Sequence, residues 1–269
     1  MSATISASLV KELRDQTGAG MMDCKRALEE TDGDLESARV LLRERGMASA
    51  GKRAGRTTTE GLVRFVLDGS TGSIAGIGCE TEPVSKNEEF LAFADAILRA
   101  IHAEGPGVVE SLEQERVELI AKLGENIVIV GAERFEAPDG NVVAGYAHPP
   151  ANKIGVLVEL VGGSVELARQ LAMHISFAAP EWTTRDDVPV EIVSAERGIF
   201  LNSGEVQAKP EAAREKIVDG MLAKRFFAVT PGGVLVDQPW IHDPSKTVGR
   251  ALEDGSASVA RFTRVSVAG

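Results

Sequence analysis

Two stretches of the sequence show the same succession of patterns, and this repetition constrains the fold more than any other feature. In residues 61–79 two short strand-like runs flank a turn, and an amphipathic helical pattern follows the next loop. Residues 142–160 and the helix after them repeat this order about 80 residues later, with Ile154 in the place of Ile74. A repeat of this length predicts a core of two related strand–strand–helix subdomains.

The N-terminal part of the chain follows a different pattern. Apolar residues recur at helical spacing in three short runs separated by Gly- and Asp-containing breaks, which predicts three helices, the last ending at Gly46. The predicted fold class is therefore α+β, with an N-terminal three-helix module before the duplicated core. The expected domains are the module in residues 1–46, a linker in 47–60, core subdomain N in 61–140 and core subdomain C in 141–269.

Residues 187–226 interrupt the second subdomain with long helical periodicity. Apolar residues repeat on both sides of Asn202-Ser203-Gly204, and Val193, Ile199 and Phe200 are expected to face one way. Two amphipathic helices joined by a short break indicate an inserted antiparallel hairpin that projects from the body. Two ordinary core helices are the alternative interpretation.

The charge of the chain is unevenly distributed. Lys and Arg number 29 and Asp and Glu number 40, which gives a formal net charge of −11, yet residues 1–60 contain ten basic and ten acidic side chains. An acidic body argues against a general nucleic-acid binder, because such binders neutralise phosphates with Lys and Arg. No apolar run is long enough to span a membrane, and two cysteines without a signal-peptide pattern indicate a cytoplasmic protein. We therefore expect neither nucleic acid nor membrane as a direct partner.

No catalytic or metal-binding constellation stands out in the sequence. The four histidines, His102, His148, His174 and His242, lie tens of residues apart, without the spacing of a metal site. His174 falls in the middle of a helical pattern and is expected to be a packing or interface residue rather than a ligand. The prediction is a protein that is not an enzyme and that uses no metal or cofactor.

One segment comes close to a phosphate-binding loop. Gly46–Arg53 reads GMASAGKR, which matches G-x-x-x-x-G-K except that Arg53 stands where a hydroxyl must bind magnesium. A flexible basic linker is the favoured interpretation, and a nucleotide-handling enzyme is the alternative.

The segment after the second strand has the character of a functional loop. Glu80-Thr81-Glu82-Pro83-Val84 joins a strand to a helix, and Pro83 is expected to hold Glu82 extended so that its carboxylate projects. Loops on a rigid scaffold often carry function. The alternative is an ordinary connection whose acidic residues favour the start of the next helix.

Several segments, in one order along the chain, resemble those of a known family. They are Leu9–Arg14 and Thr17–Leu28 with the run TGAGMMDCKRAL, then residues 79–81, 86–90, 121–127, 154–158 and 245–248. Through these segments, which cover nearly the whole chain from Ile5 onward, the sequence resembles the elongation factor Ts family.

The resemblance implies a nucleotide-exchange factor for elongation factor Tu, the GTPase that delivers aminoacyl-tRNA to the ribosome. It implies that the three-helix module is ubiquitin-associated-like and docks on the GTP-binding domain of Tu, and that some members form a homodimer through the helical hairpin. We expect at least one of two adjacent methionines in the module to face inward. The implied partner-binding residues are Arg14, Met21, Met22, Lys25 and His148.

The resemblance also places the exchange loop, which acts near the magnesium-binding region of Tu, at Thr81, Glu82, Pro83 and Val84. The family's loop reads Thr-Asp-Phe-Val, so here Glu replaces Asp and Pro replaces the aromatic wedge. The prediction is a factor that binds Tu·GDP, disturbs the magnesium and phosphate environment and promotes GDP release. The alternatives are a divergent paralogue that binds Tu, or a Tu variant, with weak or no exchange, and a ubiquitin-type adaptor acting through residues 1–46.

Overall fold

Helices and strands are both abundant in the protein, and their order makes it an α+β fold. The computed structural model describes residues 5–267, apart from the side chain of Ser49; the first four residues of the predicted module and the last two of the chain lie outside the described residues. The helices are α1 Ala7–Thr17, α2 Met21–Glu30, α3 Leu35–Arg53, α4 Glu82–Ser85, α5 Glu88–Glu104, α6 Glu113–Leu123, α7 Val165–Ala178, α8 Val190–Leu201, α9 Gly204–Gln207, α10 Glu211–Met221 and α11 Val248–Asp254. The strands are β1 Glu60–Asp68, β2 Thr71–Cys79, β3 Val128–Glu136, β4 Asn141–Ala147, β5 Ile154–Gly162, β6 Pro239–Trp240, β7 Asp243–Thr247 and β8 Ala257–Ser266.

The strands form two three-stranded sheets and one short pair. Their orders are β1-β2-β3, β4-β5-β8 and β6-β7. In the second sheet β4 and β5 are antiparallel, with Val143 opposite Glu159 and Gly145 opposite Leu157. The order strand, strand, helix is thus present at both predicted places, as β1, β2 and α5 and as β4, β5 and α7, with the single turn of α4 before α5.

The chain divides into two compact units. The first contains the N-terminal helices up to Arg64 together with residues 75–133, and the second contains residues 65–74 and 134–265. Each unit has its own buried side chains and is described by itself.

The three N-terminal helices form because their ends are capped and their apolar stripes meet. The Asp34 carboxylate accepts a 2.7 Å bond from the Ser37 N–H at the start of α3, and Gly18 ends α1 in the left-handed region, with φ +66°. The buried side chains shared by the three helices are Val10, Leu13, Cys24, Ala27, Leu28 and Ala38.

The expectation that the third helix ends at Gly46 is wrong, because α3 continues to Arg53. Gly46 and Ala50 lie one helical turn apart and are both buried. A Cβ at Gly46 would lie 3.2 Å from the Ala121 Cβ of α6. The glycine therefore serves a close approach between α3 and α6 rather than a helix end. Much of the predicted linker is helical as a consequence.

In the second unit the region 187–226 forms two main helices, α8 and α10, separated by the short α9. Arg197 of α8 donates to Glu215 at 3.0 Å and to Asp219 at 2.6 Å on α10, which joins the two helices along one side. Val193 and Phe200 pack against the local core as expected, whereas Ile199 is exposed, so its predicted orientation is wrong. The buried residues of this core are Val188, Val206, Val218, Met221, Leu222, Phe227 and Val234.

Gly61 provides a test of the first sheet. Its φ is +135°, and a Cβ there would lie 2.1 Å from the Ile77 carbonyl oxygen, whereas Gly69 has φ +57° and open space around it. We expect Gly61→Ala to lower the free energy of unfolding by about 3 kcal/mol or more, and Gly69→Ala by about 1 kcal/mol. Urea denaturation followed by circular dichroism measures both, and equal losses would contradict the close backbone approach.

Candidate functional site

The candidate site is the segment Thr81–Val84, called here the 81–84 loop. It lies between the end of β2 at Cys79 and the start of α5, where Asn87 accepts bonds from the N–H groups of Glu89 at 2.9 Å and Phe90 at 3.4 Å. Thr81, Glu82 and Pro83 are exposed, and Val84 is partly buried. Fixed elements on both sides therefore present three adjacent side chains to solvent.

Glu82 does not have the extended conformation expected from its position before Pro83. It begins the single turn of α4, in which the Ser85 N–H donates to the Thr81 carbonyl at 3.2 Å. Lys86 lies one turn further on and donates to the Glu82 carboxylate at 2.7 Å. This hydrogen bond raises the pKa of Lys86, since the carboxylate favours the charged ammonium. Glu82 thus faces solvent as half of an exposed ion pair, and the local effect of proline is overridden by the turn.

The loop is held in place by a carboxylate from a distant part of the chain. Glu125 accepts bonds from the N–H groups of Glu80 at 3.1 Å and Thr81 at 3.0 Å, and the Thr81 hydroxyl donates to its other oxygen. Bonds from neutral donors to an ionised acceptor are stronger than those between neutral groups. They fix the chain at the first residue of the loop.

The contact is reciprocal. The Glu80 carboxylate accepts a 2.6 Å bond from the Asn126 N–H and forms an ion pair with Arg56 at 3.4 Å. The buried Asn126 side chain donates to the Arg56 carbonyl at 2.9 Å. Each segment thus accepts the other's backbone donors, and we call this arrangement, formed by residues 80–81 and 125–126, the reciprocal clasp. The sequence did not identify Glu125, Asn126 and Arg56 as parts of the site. Residues 79–81 and 121–127 are nevertheless both among the segments that resemble a known family.

The N-terminal candidates are on the surface of the first unit. Arg14, near the end of α1, and Lys25, in α2, are exposed. Met21 and Met22 begin α2 and are 50% and 63% exposed. The expectation that one methionine faces inward is wrong, because Cys24, Ala27 and Leu28 supply the buried side of this helix.

His148 lies in the second unit, in the turn after β4. Its side chain is exposed, and its Nδ1 lies 3.0 Å from the Tyr146 hydroxyl. The turn is closed by the His148 N–H, which donates to the Ile154 carbonyl at 2.8 Å. The residue is available on the surface, and it belongs to a different compact unit from the other candidates.

His174 serves packing, as predicted. It is fully buried in α7, stacks on Trp240, and its Nε2 lies 2.9 Å from the Gln238 amide oxygen. The Ile241 N–H points at Nδ1 at 3.4 Å, so this pattern suits the neutral ring with its proton on Nε2. Burial lowers the pKa of His174, because the imidazolium would lose its hydration.

The nucleotide-binding alternative at Gly46–Arg53 is overturned. The whole segment is part of helix α3, so no glycine-rich loop is there to surround a phosphate. Over residues 5–267 the structure brings together no group of three or more His, Cys, Asp or Glu side chains that could hold a metal ion. In the same part of the chain no helix has the length and apolar character needed to cross a membrane.

Comparison with known proteins shows which class of proteins the chain belongs to. A family model described as "Elongation factor TS" matches residues 80–269. Elongation factor Ts of Alkalilimnicola ehrlichii is 43% identical over 275 residues, covering 98% of this chain and 92% of the relative. The proteins of the same name from Methylococcus capsulatus and Escherichia coli are each 42% identical, with the same coverage.

These matches place the chain among the translation elongation factors as a class, and they include both segments of the reciprocal clasp. Within that class it belongs to the elongation factor Ts family.

The buried histidine predicts a pH dependence of stability. Because the pKa of His174 is lowered in the folded state, the unfolded state binds its proton first as the pH falls through about 6.5. The free energy of unfolding should therefore decrease below about pH 6.5, by up to about 1.4 kcal/mol per pH unit from this residue. His174→Gln should flatten the profile in denaturation experiments, and His148→Gln, which alters an exposed ring, should not. Equal slopes for the wild type and His174→Gln would contradict the assignment.

Proposed function

We propose that this protein is a guanine-nucleotide exchange factor that binds elongation factor Tu·GDP and promotes GDP release during translation elongation in the cytoplasm. The observation that carries the proposal is the 81–84 loop, which is exposed on a fixed frame. We assign it as the exchange loop on the resemblance to the family. In this role the protein catalyses no covalent reaction, uses no cofactor, and contacts neither nucleic acid nor membrane directly.

The mechanism is one of mutually exclusive contacts. The loop contacts Tu near its magnesium-binding region, and bound nucleotide and magnesium oppose these contacts. The factor therefore lowers the affinity of Tu for GDP, and GDP lowers the affinity of Tu for the factor by the same amount. The Glu82 carboxylate, half of an exposed ion pair with Lys86, is the charged group that the loop brings next to the region that holds magnesium and phosphate. Pro83 supplies a rigid backbone in place of the family's aromatic wedge.

Docking is assigned to surfaces outside the loop. Exposed methionines are apolar and adaptable, which suits a contact of the three-helix, ubiquitin-associated-like module with the GTP-binding domain of Tu. Arg14 and Lys25 add exposed positive charge on the same module, and His148 is a separate partner-binding candidate in the second unit. The strand–strand–helix order in both halves supports a duplicated core.

A homodimer through the helical hairpin is the second part of the proposal on partners. Val190 and Ile199 of α8 are large, apolar and exposed, while Val193 and Phe200 of the same helix pack inward. Such side chains on a surface helix favour contact with another apolar surface.

The proposal is tested by the release of a fluorescent GDP analogue from Tu. At saturating concentrations the protein should accelerate release well above the spontaneous rate. Binding to Tu without acceleration would instead identify the divergent paralogue that binds without exchange, and absence of binding would contradict both.

Pro83→Phe should make the exchange faster. The phenylalanine side chain restores the apolar wedge, which contributes about 1.5–3 kcal/mol when buried. If about half of this acts only on the nucleotide-free complex, the saturating rate rises about three- to tenfold. Pro83→Ala is the matched control, because it removes the ring without adding an aromatic group. A Pro83→Phe variant no faster than the wild type would show that an aromatic side chain does not act as a wedge at this position.

Replacing both methionines, Met21→Ala with Met22→Ala, should weaken docking. The half-saturating concentration of the protein in the exchange assay should rise about tenfold, while the saturating rate stays unchanged. Met47→Ala is the control, because Met47 is 58% exposed and lies on α3, outside the proposed docking residues. An unchanged half-saturating concentration in the double variant would exclude these methionines from the contact.

A further inference from the structure

We infer that Glu125 is a positioning residue for nucleotide exchange: it holds the 81–84 loop in the conformation that acts on the partner without itself belonging to the loop. The inference rests on the proposed function. It follows from where Glu125 is held, from what it bonds and from the missing side-chain cap at the first turn of the loop.

The backbone around Glu125 leaves its carboxylate little freedom. Gly124 ends α6 in the left-handed region, with φ +78°, and its N–H donates to the Ile120 carbonyl at 3.0 Å. Asn126 and Ile127 on the other side are buried. In the last turn of α6, Lys122 pairs with Glu89 of α5 at 2.6 Å, so the helix that precedes Glu125 is also tied to the helix that follows the loop.

The start of the loop depends on this carboxylate because its own capping is weak. A threonine before a helix usually accepts a bond from the backbone two or three residues on, but the Thr81 side chain makes no such bond. Pro83 has no N–H to offer, and the Thr81 hydroxyl instead donates to Glu125. The N–H groups of Glu80 and Thr81 also end on Glu125. Three donors around the first loop residue therefore converge on one distant side chain.

Removal of Glu125 should change the loop more than the fold. Thr81 is exposed and Glu80 partly so, which allows water to replace the lost acceptor without a buried, unsatisfied group. Water does not impose the same backbone direction, so the loop then samples more conformations. A displacement of about 1 Å at a reacting site can lower a rate about a hundredfold, whereas docking through other surfaces is unaffected.

The test combines exchange kinetics with amide hydrogen exchange of the full chain. For Glu125→Ala we expect the saturating rate of GDP release from Tu to fall at least about tenfold, with the half-saturating concentration within about twofold of the wild type. Glu125→Gln should lie in between, because its single amide oxygen still accepts a backbone N–H. Glu115→Ala, which removes an exposed carboxylate from helix α6 just before Glu125, should match the wild type. The amides of Glu80 and Thr81 should exchange faster in Glu125→Ala, while the remainder of the first unit keeps its protection.

Two results would overturn the inference. One is a saturating rate in Glu125→Ala equal to that of the wild type. The other is an equal loss of rate in the Ala and Gln variants together with faster amide exchange throughout the first unit, which indicates a general structural role. If the wild-type protein itself fails to accelerate GDP release, the proposed function fails; the amide measurement then still decides whether Glu125 fixes the loop.

Discussion

The exposed loop of this protein depends on an exchange of hydrogen bonds between two segments far apart in sequence. The carboxylate of Glu125 accepts the N–H groups of Glu80 and Thr81, and the carboxylate of Glu80 accepts the N–H of Asn126. Each bond pairs a carboxylate acceptor with a backbone N–H donor. Such bonds fix the position of the backbone, whereas bonds between two side chains fix only the side chains. Contacts with residues 125 and 126 therefore fix the conformation of the loop, and the exposed side chains of residues 81–83 remain accessible to a partner.

This arrangement fits the proposed function, under which the 81–84 loop acts on elongation factor Tu with Pro83 in the place of an aromatic wedge. A loop with proline there has less apolar surface to bury against the partner. A rigid backbone and the exposed Glu82 carboxylate can still oppose bound nucleotide, provided that the loop is presented in one conformation. The charge of the chain is also uneven around the loop. The N-terminal 60 residues are neutral overall, and the acidic part of the chain begins with the segment that carries the loop.

Local patterns in the sequence predicted the elements whose causes are local. The three N-terminal helices with breaks between them and the two strand–strand–helix successions are all present. Gly46 does not end the helix as its local pattern predicts, because the glycine serves a close contact with Ala121, 75 residues further on. Glu82 is not extended as its position before Pro83 predicts. The turn bond from the Ser85 N–H to the Thr81 carbonyl and the ion pair of Glu82 with Lys86 outweigh the preference of a residue before proline for an extended backbone. The loop itself could be found from the sequence, whereas its fixation by Glu125, 44 residues beyond Thr81, is a tertiary contact that no local spacing reveals.

We propose that this protein and the nucleotide oppose each other on elongation factor Tu through the loop. The most direct test of this proposal is the affinity of the protein for nucleotide-free Tu and for Tu·GDP with magnesium, measured by titration calorimetry. We predict tighter binding to nucleotide-free Tu, by the same factor by which saturating protein weakens GDP binding, because the coupling between the two ligands is reciprocal. Equal affinities for the two forms of Tu would contradict the account.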